Sequence, residues 1–147
     1  MTRTNNYLHG LLVLLGLFIF TAKSSAQQSV NGARITVIRN ADESLAKRPM
    51  TVYIDGVKSC FLPNSAFTTF IVNEGEHTVF ADLGKTKNIK RKIAETSLSI
   101  KVSPQQEYFV LMVVTDPKKR NITFTPILQT GAAKLMKDYR QWECKKP

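Results

Sequence analysis

The chain has 147 residues, with 21 Lys and Arg against 11 Asp and Glu, a formal net charge of +10. That length is one domain's worth and excludes an array of modules, while the charge favours anionic partners: lipid headgroups, acidic polymers or acidic proteins. Two Cys and two His, with no Cys-x-x-Cys or His-x-x-x-His spacing, exclude a motif-type metal centre.

The N-terminus reads in three parts. Met1–His9 is polar with one charge, Arg3; Leu11–Phe20, LLVLLGLFIF, is uncharged; Ser24-Ser25-Ala26 then puts small residues before Gln27-Gln28. This pattern predicts a secretory signal peptide over residues 1–26. A retained anchor is the alternative, but ten helical residues span about 15 Å, roughly half the hydrocarbon core. No cysteine follows the apolar run, so lipid attachment there is excluded. Without residues 1–26, which carry Arg3 and Lys23 and no acid, the net charge is +8 over 121 residues. Export to the periplasm or cell surface makes nucleic acid a poor candidate partner.

Residues 27–32 are expected to be a disordered leader, and residues 33–129 one β-domain. Arg34–Arg39, RITVIR, alternates and is β-branched, which predicts a first strand. Asn40–Pro49 reads as a loop and Met50–Ile54 as a strand. Asp55-Gly56 is a two-residue hairpin signal, since both central positions of such a turn take positive φ. Strands follow over Val57–Phe61, Ala66–Val72 and Glu76–Leu83, separated by Pro63-Asn64-Ser65 and Asn73-Glu74-Gly75. Gly84–Arg91 is polar and basic. Lys92–Val102 holds an alternation around Leu98, Ile100 and Val102, a sixth strand.

Glu107–Thr115, EYFVLMVVT, is apolar enough to be a central strand covered on both faces. Asn121–Leu128 returns as a last strand, and its Pro126 demands an edge or a bulge. Over residues 130–147 the period changes to a C-terminal helix and tail. Ala132, Leu135, Met136 and Tyr139 fall at i, i+3, i+4 and i+7, Trp142 extends the stripe, and Thr130 is the expected N-cap. The helix either packs on the sheets or serves as a docking helix through Leu135, Met136, Tyr139 and Trp142. The fold expected is all-β: a seven- to eight-stranded antiparallel sandwich, immunoglobulin- or prealbumin-like, with one C-terminal helix.

Val72–Leu83 holds His77 beside Glu74, Glu76 and Asp82. A strand sends neighbouring side chains to opposite faces, so His77 shares none with Glu76 or Asp82. The expected role of His77 is to cap the turn or hydrogen-bond nearby backbone, and neither a metal nor a cofactor is expected. The acids of Asp55-Gly56 and Glu74-Gly75 read as turn formers.

Certain stretches resemble a known family. They are Ala33–Arg39, Val52-Tyr53-Ile54-Asp55-Gly56, Asn73–Val79 and Glu107-Tyr108-Phe109-Val110. Their Gly-Glu-His-Thr-Val element resembles small secreted bacterial sandwiches, including PEGA-type modules. The wider constellation, Ala33 to Thr115, resembles the bacterial domain of unknown function 2846. That resemblance implies an exported, often lipid-anchored β-sandwich without established activity. The chain departs from it in lacking a lipobox cysteine and in having Cys60 where the family has a plain strand residue.

Cys60 and Cys144 admit one pairing. A bridge suits an oxidising compartment; the alternative is two separate thiols. Cationic side chains crowd two segments, Lys85, Lys87, Lys90, Arg91 and Lys92, then Lys118, Lys119 and Arg120. If both lie at one end they form an anion-binding surface; if not, they are solvated loops. The function expected is a non-enzymatic envelope module that binds a protein partner or an anionic lipid or polymer, with peripheral membrane association. The alternatives are an enzyme using Cys60 with His77, and a soluble carrier with an apolar pocket between the sheets.

Overall fold

The computed structural model describes residues 32–40, 45, 47–84, 89–116 and 121–144, with only the backbone at Glu95. The expected signal peptide and most of the leader lie outside the described residues.

The described chain is mostly β. Nine strands are present: β1 (Ala33–Arg39), β2 (Met50–Ile54), β3 (Val57–Leu62), β4 (Ala66–Val72), β5 (Gly75–Asp82), β6 (Leu98–Val102), β7 (Glu107–Asp116), β8 (Asn121–Ile127) and β9 (Arg140–Gln141). Two helices accompany them, α1 (Ile89–Thr96) and α2 (Gln129–Asp138). One sheet is ordered β8-β7-β1-β4-β9, the other β3-β2-β5-β6. The second is antiparallel throughout. The first is mixed, because β1 runs parallel to β7 and β4 parallel to β9. The expectation of a wholly antiparallel arrangement is corrected there. A parallel neighbour needs a long crossover, and sequence alternation is blind to strand direction.

The Asp55-Gly56 turn has positive φ at both residues, +53° and +73°, as a tight hairpin between β2 and β3 requires. Pro126 sits on β8, an edge strand. An edge is where a residue without an N–H can stand without breaking a ladder on both sides.

Alternate residues of both sheets meet in one core. Ile35 and Val37 of β1, Val52 of β2, Leu62 of β3, Val79 of β5 and Val110 of β7 are all buried in it. At roughly 1.5–3 kcal/mol for each large aliphatic side chain, this burial is the dominant favourable contribution to folding. A smaller cluster lies on the other face of the five-stranded sheet, where Ile38, Phe67 and Phe109 are covered by Ala132 of α2, with Leu135 and Met136 beside it.

Two helical expectations change. A helix, α1, occupies Ile89–Thr96, where a basic loop running into a strand was expected. Its apolar positions Ile89 and Ile93 are four apart and so share a face. The charged residues Lys90, Arg91, Lys92 and Glu95 hide that periodicity. At the other end, α2 begins one residue before Thr130, with Leu128 in the N-cap position and no side-chain cap. It ends at Asp138, so Tyr139 and Trp142 lie beyond it. Tyr139 is extended, with φ −107° and ψ 147°, and Arg140–Gln141 pair with β4. The Arg140 and Trp142 amides donate to the Ser65 and Phe67 carbonyls at 3.2 and 2.8 Å. Ladder bonds to β4 replace a further helical turn.

Arg39 is buried at the end of β1. Its guanidinium donates to the carbonyls of Arg48, Leu62 and Leu45 at 2.7, 3.0 and 3.0 Å. It thereby fastens the segment before β2 to β3. A rigid fork of donors suits three converging carbonyls, which a lysine cannot match.

Candidate functional site

Among the basic residues singled out in the sequence, Lys90, Arg91 and Lys92 share α1. Lys90 and Arg91 are exposed. Lys92 turns inward, with its ammonium 3.6 Å from the carboxylate of Asp82, which is 1% exposed. Asp82 also accepts from the Gly84 amide at 2.9 Å. The structure thus uses Lys92 to accompany a buried acid. The same acid acts on Tyr53, whose pKa is raised by burial and then by the Asp82 charge.

A cavity of about 210 Å³ joins α1 to the start of β8, lined by Phe80, Ala81, Lys92, Thr96, Asn121 and Ile122. Asn121 directly follows the second basic run in sequence. Lys85, Lys87, Lys118, Lys119 and Arg120 themselves lie outside the described residues.

His77 and Asp55 form a second constellation. His77 Nδ1 lies 2.7 Å from Asp55 Oδ2 and Nε2 lies 2.9 Å from the Asn73 carbonyl. Both ring nitrogens therefore face acceptors, and the imidazolium, with two N–H donors, satisfies both. The other Asp55 oxygen accepts from the Thr78 amide at 2.8 Å. The bond to Asp55 raises the His77 pKa, against the lowering effect of its burial; the Asn73 carbonyl and the Asp55 charge add to the rise. Partial burial works to raise the Asp55 carboxyl, but the Thr78 amide and His77 outweigh it and hold the pKa below the ordinary value. The backbone bond of His77 was foreseeable. Its partner Asp55 was not, because Asp-Gly in a turn needs no further reason to be there. Among the described residues no group of three or more His, Cys, Asp or Glu could hold a metal.

The two cysteines are bridged. Cys60 of β3 and Cys144 of the tail form a disulfide across 84 positions, and Thr68 Oγ1 lies 3.1 Å from the Cys144 sulfur. In this oxidised state Cys60 offers no thiolate to His77.

Leu135, Met136 and Tyr139 are half-buried against Ile38, Phe67 and Phe109. Trp142 packs on the inter-sheet core, and the Arg140 guanidinium lies 4.7 Å above its ring centre. Beside α2 a groove of about 440 Å³ crosses the outer face of the five-stranded sheet. Arg34, Thr36, Thr69, Ile71, Phe109 and Met136 are among its lining residues. Its floor includes a Thr36–Thr69 hydroxyl pair at 2.8 Å, and Arg34 and Glu107 form an ion pair at 3.0 Å at one side. Ile71 is 62% exposed. Nothing local in the sequence marks this groove, since its walls come from β1, β4, β7, β9 and α2.

No family model matches the chain, and neither does any curated protein or solved structure. Among the described residues, no helix is long and apolar enough to cross a membrane.

Proposed function

We propose that the protein is an exported β-sandwich, immunoglobulin- or prealbumin-like and akin to the bacterial domain of unknown function 2846. In this reading it is a non-enzymatic interaction module of the bacterial envelope. It docks on anionic lipid headgroups through the end carrying α1 and the start of β8. The observation that carries this is that Lys92 and Thr96 of α1 line one cavity together with Asn121 and Ile122 of β8. It puts α1, the helix that carries the exposed Lys90 and Arg91, beside the residue that follows Lys118-Lys119-Arg120. Each cation near an anionic membrane surface adds about 1 kcal/mol of attraction.

Export is supported separately. The Cys60–Cys144 bridge suits an oxidising compartment, and Leu11–Phe20 has the length and flanks of a signal peptide. The rival enzyme would need a Cys60 thiolate, which the bridge to Cys144 removes. The rival carrier would need an apolar inter-sheet pocket, whereas the cavity that touches both sheets is lined by Lys92, Thr96 and Asn121 beside Phe80, Ala81 and Ile122.

Co-sedimentation of the oxidised protein with anionic and neutral vesicles, at low and high salt, tests the reading. A Lys90→Gln, Arg91→Gln variant keeps Lys92 on Asp82 and removes two exposed cations. Binding to anionic vesicles alone, weakened by salt and in the variant, is the expected result. Equal binding of the variant, or none by either protein, would overturn it. Inorganic phosphate that competes at millimolar concentration would show a headgroup-sized anion site in place of a surface.

A further inference from the structure

The edge of β4 is only partly occupied. β9 pairs with Ala66 and Phe67 and then stops, while β4 runs on to Val72. Among the described residues nothing continues the ladder. The side of the strand on which each backbone group lies follows from the bonds of its neighbour β1. Arg34 and Asn40 of the β1 segment donate toward β7, to Gln106 and Met112, at 2.8 and 2.9 Å. Successive residues of a strand point their N–H and C=O groups to opposite sides. Even-numbered residues of β1 therefore serve β7, and their β4 partners face away from β1. Those partners are Phe67, Thr69 and Ile71. Phe67 shows the rule, since its carbonyl accepts from Trp142 of the tail at 2.8 Å. The amides and carbonyls of Thr69 and Ile71 continue the same open row.

The other edges carry features that discourage strand addition. Edge strand β3 has Lys58 lying over Phe61 at 4.1 Å and a register shift against β2. Edge strand β8 has Pro126, and edge strand β6 is five residues long with Lys101 exposed. Lysine, proline and bulges are the usual guards of sheet edges. Thr69-Phe70-Ile71-Val72 has none of them. The groove beside α2 begins at this unguarded stretch, with Thr69, Ile71 and Gln141 in its wall.

We propose that the edge of β4 beyond β9 accepts an extended, acidic peptide of a partner protein as an added strand, with one apolar side chain in the groove beside α2. Continuity with the β4–β9 ladder specifies an extended backbone, because a row of unpaired amides and carbonyls is satisfied by another strand. The net charge, +10 for the full chain and +8 without residues 1–26, favours an acidic occupant. This surface is separate from the basic end formed with α1, so either reading can fail alone.

The probe is a pool of short peptides in which glutamate alternates with a randomised apolar residue, offered to the oxidised full chain. Retained peptides are mapped by amide chemical shifts, then remade with N-methyl groups on alternate amides in each of the two phases. The expected result is perturbation and slowed exchange at the Thr69 and Ile71 amides. Methylation in one phase weakens binding at least about tenfold while the other phase leaves it nearly unchanged. An Ile71→Pro variant removes an edge amide that makes no bond to β1 and loses binding. If that variant misfolds, the two methylation phases decide alone. Retention of no peptide, equal loss in both phases, or shifts confined to β3, β6 or β8 would overturn the proposal. Loss of vesicle binding in the α1 variant with peptide binding intact would separate the two surfaces.

Discussion

His77 holds Asp55 at 2.7 Å across 22 positions of sequence, and through its other nitrogen holds the Asn73 carbonyl at 2.9 Å. One side chain thereby ties the turn after β2 to the turn before β5.

The tie titrates at both ends. The His77 pKa is raised in the fold, so its contribution is complete below the unfolded value, about 6.5, and is lost as pH rises through the higher folded value. The Asp55 pKa is lowered, so its contribution is present above about 3.9 and is lost as pH falls through the lower folded value. Stability from this pair should peak between about pH 4 and 6.5. Because Asp55 is half exposed, His77→Gln should cost only about 1 kcal/mol near pH 5.5, and less at pH 8.5. Urea melts of both proteins at the two pH values check this. An identical loss at both would mean that the histidine acts by packing alone.

Bridging Cys60 to Cys144 closes a loop of 84 positions. Chain entropy assigns such a bridge about 4–5 kcal/mol, an upper figure. Reduction should lower Tm, and should also release β9 from β4, since Cys144 anchors the residues just after it. Hydrogen exchange at the Arg140 and Trp142 amides is the local readout. Unchanged protection of both after reduction would show that ladder bonds alone hold the tail.

Arg39 should tolerate no conservative exchange. A lysine in its place could reach one of the carbonyls of Leu45, Arg48 and Leu62, leaving the rest of a buried acceptor cluster without its donors. Arg39→Lys is expected to cost about 2–4 kcal/mol. Chemical denaturation gives the number directly, and a cost under about 0.5 kcal/mol would mean that water replaces the guanidinium.

Tyr139 donates its hydroxyl to Asn40 Oδ1 at 2.8 Å, fixing the end of α2 over the exit of β1. Tyr139→Phe keeps the ring against Phe67 and Phe109 and should cost about 0.5–1.5 kcal/mol. Met136→Ala, which opens the groove wall, should cost about 2 kcal/mol, the low end for methionine because the side chain is half-buried. A larger loss for the phenylalanine variant than for the alanine variant would reverse the assigned roles.

How much of this was legible depended on range. Strand positions, the Asp55-Gly56 hairpin and the edge location of Pro126 are local matters: side-chain alternation, positive φ and a missing N–H act within a few residues. The apolar stripe of Ala132, Leu135 and Met136 declared α2 for the same reason. Helix α1 escaped because its two isoleucines are outnumbered by lysine, arginine and glutamate. The end of α2 escaped because periodicity cannot see that β4 offers Tyr139–Trp142 a better set of hydrogen bonds. The cysteine count left one possible bridge, yet only the fold brings β3 and the tail within bonding distance.

The long-range contacts were set elsewhere. By itself the sequence determined a basic, mostly β chain with a C-terminal helix, because composition and side-chain period are properties of neighbours. Only the tertiary structure decided that β1 and β7 run parallel, that His77 faces Asp55, that Lys92 turns in to Asp82, and that β4 keeps an open edge beside a groove. Each joins segments far apart in the chain, and their meeting follows from how the two sheets bury a shared core.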